Sequence, residues 1–298
     1  MIVINVIRLS PIPNIIIKPV KYTNQTLRRK VQNYFNRHRE MSPDIDINSW
    51  DTSEVTDMSE LFKGFEFNKP LDRWDTSKVT NMAGMFSDNK TFNQPLNSWD
   101  TSKVTNMAGM FSGNISFNQP LDSWDTHSVT NMKGMFSGNI SFNQPLDQWD
   151  THSVTNMKEM FIGCRQFNQP LDSWNTSNVT DMEGMFLLCI NFNQSLNTWN
   201  TCKVINMQGM FLVCNSFNKP LDQWNTSKVI NMQAMFAGCT NFNQPLNSWN
   251  TYLVTNMVQM FAECIHFNQP LTNWNIQNVT NRENMFLTCN AFNVENSP

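Results

Sequence analysis

The chain has 298 residues, enough for two ordinary domains or one elongated array, and a formal charge of −3. Only 15% of residues are charged, whereas Phe, Met and Trp number 22, 20 and 10, a composition that excludes global disorder. No apolar run reaches the roughly 18 residues of a membrane-spanning helix, so none is expected.

In chain order, residues 1–20 (MIVINVIRLSPIPNIIIKPV) come first, apolar in patches. Arg8, Pro11, Pro13 and Pro19 interrupt them, and no basic stretch precedes them, so they do not read as a signal peptide. Residues 1–41 carry eight Lys/Arg against Glu40 alone, leaving 13 basic and 23 acidic residues for the rest. This basic head lacks interleaved aromatics, so it reads as a solvated helix and loop and not as a nucleic-acid arm. Within it, Leu27, Val31 and Phe35 recur at helical spacing. They predict an amphipathic helix that caps the open end of a longer stack.

That stack is a repeat. All ten Trp share one register, from Trp50 and Trp74 to Trp274, with one step of 24 and then steps of 25. A Phe-Asn pair, a Val and two Met recur in the same frame, giving the unit F-N-Q-P-L-x-x-W-D-T-S-x-V-T-N-M-x-x-M-F-x-x-C/N-x-x. Val79, Met82, Met85 and Phe86 lie on one helical face. They predict a short helix with Thr76 as its N-cap and with Gly113, Gly138, Gly163 and Gly238 at C-terminal caps. The first half, around Pro95 and Leu96, predicts a very short strand pairing in parallel with its copies. The fold class expected is therefore an α/β repeat solenoid, leucine-rich-repeat-like, with about ten 25-residue coils stacked about 5 Å apart. The boundaries read as an N-terminal extension and capping helix over 1–44, the repeat over 45–293 and a tail over 294–298.

Ten Asn in one register, among them Asn93, Asn118 and Asn143, predict a structural ladder that satisfies turn backbone groups and the next coil's amide. Trp99, Trp124 and Trp149 belong to the same structural set. Six Cys also share a register (164, 189, 214, 239, 264, 289), where Asn89, Asn114 and Asn139 stand in earlier coils. Spacings of 25 do not fit zinc ligands, and the Asn/Cys exchange predicts free thiols in a small buried slot, as in a reducing compartment. Cys202 stands outside that register. His127 and His152, two residues after Asp125 and Asp150, are weak metal candidates; two surface imidazoles are the simpler reading.

The unit resembles the repeat of BspA-like leucine-rich-repeat surface proteins and of the Mycoplasma lipoprotein-related repeat family of unknown function. Similar repeats also occur in giant DNA viruses of amoebae. The resemblance covers roughly residues 45–293 and rests on the W-D-T-S, V-T-N-M and M-F words. It implies a leucine-rich-repeat-like solenoid that binds proteins or surfaces, with no catalytic residues and no cofactor.

No nucleophile–base set, phosphate loop or metalloprotease motif is present, and no insertion breaks the repeat, so no enzyme activity is expected. The first expectation is a non-enzymatic scaffold binding a protein along its extended face. The candidate surface is the strand face, with Arg73, Asp122, Asp147, Gln148, Asp172, Asp222 and Gln223. The alternatives are a structural or display protein that self-associates or decorates a particle, and a carbohydrate- or metal-binding module. A protein partner is expected, with no nucleic acid and no membrane span, and the location expected is intracellular: the cytoplasm, or a virion and its host cytoplasm.

Overall fold

The computed structural model describes residues 20–37 and 46–298; the apolar patches of residues 1–19 and the basic residues Arg8, Lys18 and Arg39 lie outside them. One α-helix occurs among the described residues, α1 (Asn24–Arg37). From Trp50 onward the chain is a stack of coils built from turns, followed by a single 3-10 turn at Val294–Asn296.

Each coil makes two sets of backbone bonds in alternation. In the second coil Met85, Ser87 and Asn89 donate to the carbonyls of Met82, Gly84 and Phe86 three residues back, at 3.2, 3.0 and 3.1 Å. The N–H groups between them turn outward to the next coil: Met82, Gly84, Phe86 and Asp88 donate to Asn106, Ala108, Met110 and Ser112 at 2.9, 2.8, 2.8 and 2.7 Å. The same four donors recur at every junction between successive coils.

This pattern overturns the expected α/β leucine-rich-repeat-like solenoid. An α-helix returns every N–H to a carbonyl four residues back, and here half of the N–H groups leave the coil. The alternation needs left-handed residues, supplied at Gly84 (φ 62°) and Asp88 (φ 56°). The glycines predicted to end helices, such as Gly113 at φ 68°, are left-handed, but they turn a coil and end no helix. Thr76 is not an N-cap either. Its carbonyl accepts from Val79 within the turn at 2.9 Å, and its buried hydroxyl donates to the Asp100 carbonyl at 3.0 Å.

The predicted strand at Leu96 is absent as well. Parallel pairing shrinks to single-residue bridges elsewhere in the coil, from Asp57↔Asn81 and Asn81↔Asn106 to Asn256↔Asn281. Pro95 has no N–H to give a ladder. The Leu96 carbonyl is already occupied by the Trp99 N–H and by the Trp124 indole, both at 3.1 Å.

The core is continuous along the stack. Val, Leu, two Met and two Phe of each interior coil are buried, and neighbouring rings lie face to face, as with Phe86–Phe111 at 5.6 Å and Trp124–Trp149 at 6.4 Å. Each such side chain contributes about 1.5–3 kcal/mol of burial that a lone coil cannot obtain.

The two ends differ. At the N-terminal end α1 lays Leu27 and Val31 onto the first coil, with Tyr34 edge-on to Trp50 at 6.3 Å and Phe35 stacked on Phe65 at 4.0 Å. Asn24 Oδ1 accepts the Thr56 and Asp57 N–H groups at 2.8 and 3.1 Å, fixing the start of the helix to the coil edge. At the other end Arg282 is exposed in a column that is otherwise buried Met, and no α-helix among the described residues covers it.

Candidate functional site

The ladder residues are structural in detail. Asn93 Oδ1 accepts the Asn118 N–H at 2.9 Å and the Gln119 amide at 3.0 Å, and Asn118 and Asn143 repeat the Asn contact one coil on. The Asn thus bonds a backbone group, as expected, but the one in the next coil, and the amide it meets there is that of the Gln and not of the equivalent Asn. The indoles of Trp99, Trp124 and Trp149 each donate to a Leu carbonyl of the preceding coil, at 2.9, 3.1 and 2.9 Å.

Arg73, Asp122, Asp147, Gln148, Asp172, Asp222 and Gln223 lie in one row of Leu-x-x-Trp turns; Asp147 and Asp222 are half-buried and the others exposed. With no strand there, the row is a ridge of turns. Its polar groups largely bond to one another: Gln148 to Asp147 at 2.8 Å, Asn197 to Asp222 at 3.0 Å and Gln223 to Asp222 at 2.8 Å. The Gln223 and Asn197 amides hold the Asp222 carboxyl below its ordinary range.

His127 and His152 each bind the carboxylate of their own turn, Nδ1 to Asp125 at 2.7 Å and to Asp150 at 2.9 Å. Their Nε2 atoms face Ser128 and Ser153 at 2.9 and 3.0 Å. The Ser128 hydroxyl also donates to the Ser102 carbonyl at 2.9 Å, which commits its single proton. No group of three metal-ligating side chains gathers among the described residues.

The Cys column is buried, and its thiols donate to Phe carbonyls of the preceding coil, Cys164 to Phe136 at 3.0 Å and Cys189 to Phe161 at 2.9 Å, except that Cys289 donates to the Cys264 carbonyl at 3.0 Å. Burial pushes these thiols well above their ordinary pKa. Groups held neutral in this way are poor nucleophiles.

A cavity of about 420 Å³ lies beside the ridge at Asn48, Trp50, Asp51, Arg73 and Asp75, and an extended groove lies on the face of the Met-x-x-Met-Phe-x segment. A groove of about 460 Å³ runs past Gly84, Ser87, Gly109, Ser112, Lys133 and Ser137, and ends at Glu159. From Glu159 a second groove, of about 240 Å³, continues past Ile162, Leu187, Gly209 and Leu212 to Gln259. Glycines form much of the floor because the outward-turned peptides require positive φ, 62° at both Gly84 and Gly109. A Cβ at Gly109 would meet only Ser112 Cβ at 3.8 Å, so backbone conformation and not crowding favours glycine there. Lys158 bridges the two stretches through Glu183 at 2.7 Å, and that carboxylate raises the Lys158 pKa. The strip is hidden in the sequence because its positions fall inside the predicted helix. The available signal is variation among copies, Ser at 87, 112 and 137 against Ile162, Leu187 and Leu212.

Among the described residues no helix is long and apolar enough to cross a membrane. No curated protein and no solved structure matches the chain. A family described as Mycoplasma protein of unknown function, DUF285, matches three times, over residues 29–138, 113–221 and 188–297. These matches run from within α1 to the last coil, and the chain belongs to that repeat family.

Proposed function

We propose that the chain is a non-enzymatic protein-interaction scaffold whose partner lies along the Met-x-x-Met-Phe-x strip. The observation that carries this reading is the contrast between columns. Inside, Val, Met, Phe, Leu and Trp repeat from coil to coil, while the strip changes from small and polar, through charged, to apolar. A partner extended along the stack meets a different surface at each coil, which is what selective recognition requires. The likeness of the unit to BspA-like surface repeats supports an interaction role in the same way.

The test compares two sets of variants on the immobilised chain, reading retention of a protein from source-cell extract beside thermal melting. Ser112→Arg and Leu187→Arg fill the strip, whereas Asp147→Lys with Gln148→Lys reverses the Leu-x-x-Trp ridge. Loss of the retained protein with the first set alone, at unchanged melting temperature, is the expected result. Loss with the second set alone moves the site to the ridge. Retention by every variant ends the scaffold reading for both surfaces.

A further inference from the structure

Two outward columns flank the buried Val of each coil, the residue before it and the residue after it, and both depart from the repeat in the same place. The residue after Val is Thr in eight of ten copies, and its hydroxyl donates to the preceding coil, as Thr105 does to the Thr80 carbonyl at 3.2 Å. At 205 and 230 it is Ile. The backbone does not change with it: the Ile205 and Ile230 N–H groups still reach the Thr180 and Ile205 carbonyls, both at 2.9 Å. The frame thus gives up two hydroxyl bonds for side chains that stand 46 and 44% exposed. Tyr252 and Leu253 extend this apolar surface into the following coil, at 50 and 43%.

The residue before Val supplies the charge. Early lysines in that column have acids beside them: Lys78 lies 3.0 Å from Glu54, and Lys78 and Lys103 share their turns with Asp75 and Asp100. In the coils of Ile205 and Ile230 the turn acid is replaced by Asn200 and Asn225, and residues 200–206 and 225–231 contain no Asp or Glu. Lys203 meets only the uncharged Asn178 amide, at 2.7 Å, and Lys228 has no partner among the described residues. Exposed apolar side chains on consecutive coils, edged by charge of one sign, mark an interaction surface.

We propose that this surface, formed by Lys203, Ile205, Lys228, Ile230, Tyr252 and Leu253, docks an acidic, apolar segment of a partner protein lying along the stack. Its carboxylates meet the lysine column and its apolar side chains meet the isoleucine column, and the two columns run parallel because every coil repeats one frame. The charges set orientation and salt dependence, and the apolar contacts hold the segment. Two lysines are too few for an anionic membrane surface, which takes a cluster of roughly four to eight. Exposed isoleucines offer nothing to a phosphate backbone. None of the six residues lines the grooves of the Met-x-x-Met-Phe-x strip, so this is a second docking surface.

The repeat supplies its own control. Ile205→Thr, Ile230→Thr, Lys203→Asn and Lys228→Asn together return each position to a residue that other coils carry there. A random dodecapeptide library on phage is selected on the immobilised full chain and counter-selected on this reverted chain. The enriched peptides are expected to combine an excess of Asp and Glu with apolar residues. They should bind the reverted chain at least about tenfold more weakly and lose affinity as salt rises. No enrichment over the reverted chain overturns the proposal, and so does enrichment without an acidic excess. Peptides released by Leu187→Arg but kept by the reverted chain belong to the groove and equally overturn it. Vesicles of phosphatidylcholine with and without phosphatidylserine complete the test. Cosedimentation with the anionic vesicles alone, lost on reversion, would assign the surface to a membrane instead.

Discussion

Coils two to four and coils five to ten share one backbone and differ in what fills the slot three residues before the Phe of the Phe-Asn pair. In the early coils the slot is Asn. Asn114 Oδ1 accepts the Ser116 and Phe117 N–H groups of its own turn at 3.3 and 3.1 Å, and its Nδ2 has no partner among the described residues. In the later coils it is Cys, and the polarity reverses: the Cys189 thiol donates backward to Phe161, while the Phe192 N–H goes to the Cys189 carbonyl at 3.0 Å. Asn139 stands between the two: neither of its side-chain atoms has a partner among the described residues, and the Phe142 N–H goes to its carbonyl at 3.4 Å, so the frame fixes the size of the slot and not its hydrogen bonding.

The sharpest way to break this equivalence is to bury a carboxylate in each slot. At position 189 a carboxylate would face a carbonyl, so Cys189→Asp should cost about 3–5 kcal/mol in denaturant unfolding. At position 114 two N–H groups point at the slot, and Asn114→Asp should cost only about 1–2 kcal/mol. Equal losses would mean that the slot discriminates by size alone.

Truncation has the next largest effect. Asn114→Ala strands two buried N–H groups and should cost roughly 1–3 kcal/mol. Cys189→Ala removes one weak donor and a small volume, for about 1 kcal/mol.

Thiol labelling at pH 8 reads the Cys column without mutation. Cys202, half-buried and outside the column, should react first. Cys289 should be second, its pKa raised by burial to about 11 and its position in the final coil less covered. The remaining five should label only as the chain unfolds. Early labelling of Cys164 or Cys189 in the native chain would contradict their burial.

The smallest effect concerns the residue after Trp, Asp in the early coils and Asn from position 175 onward. Ser hydroxyls hold the carboxyls of Asp51, Asp75 and Asp100 below their ordinary range. A carboxyl whose folded pKa is lowered contributes stability that is present above its unfolded value, near pH 4, and is lost as pH falls through the folded value. Asp100→Asn should therefore shift stability by less than about 0.5 kcal/mol at pH 7. Changing all three to Asn should flatten the acid limb of the stability curve, and an unchanged limb would show that these bonds do not form in solution.

Much of this molecule was legible without coordinates. The period, the inward columns and the placing of Leu27 and Val31 on one helical face follow from spacing, because a side chain that must be buried in every coil must recur at the coil's length. The candidate site was less legible. The ridge residues were visible as outward positions but were assigned to a strand face that does not form, and the groove was hidden inside a segment read as helix, where Ala83, Gly84 and Ser87 looked like its outer face.

The conformation of that segment was decided by the tertiary structure. Val79, Met82, Met85 and Phe86 give the same three-and-four spacing whether they lie on a helix or on successive three-residue turns, so periodicity does not separate the two. What separates them is where alternate N–H groups find acceptors. Once a neighbouring coil offers carbonyls at two-residue spacing, turning every second peptide outward satisfies the same groups that a helix satisfies internally. Those acceptors belong to residues about 25 positions away, and no local propensity carries them. The amino-acid order determined which side chains are inside; the stacked neighbour determined the backbone that puts them there.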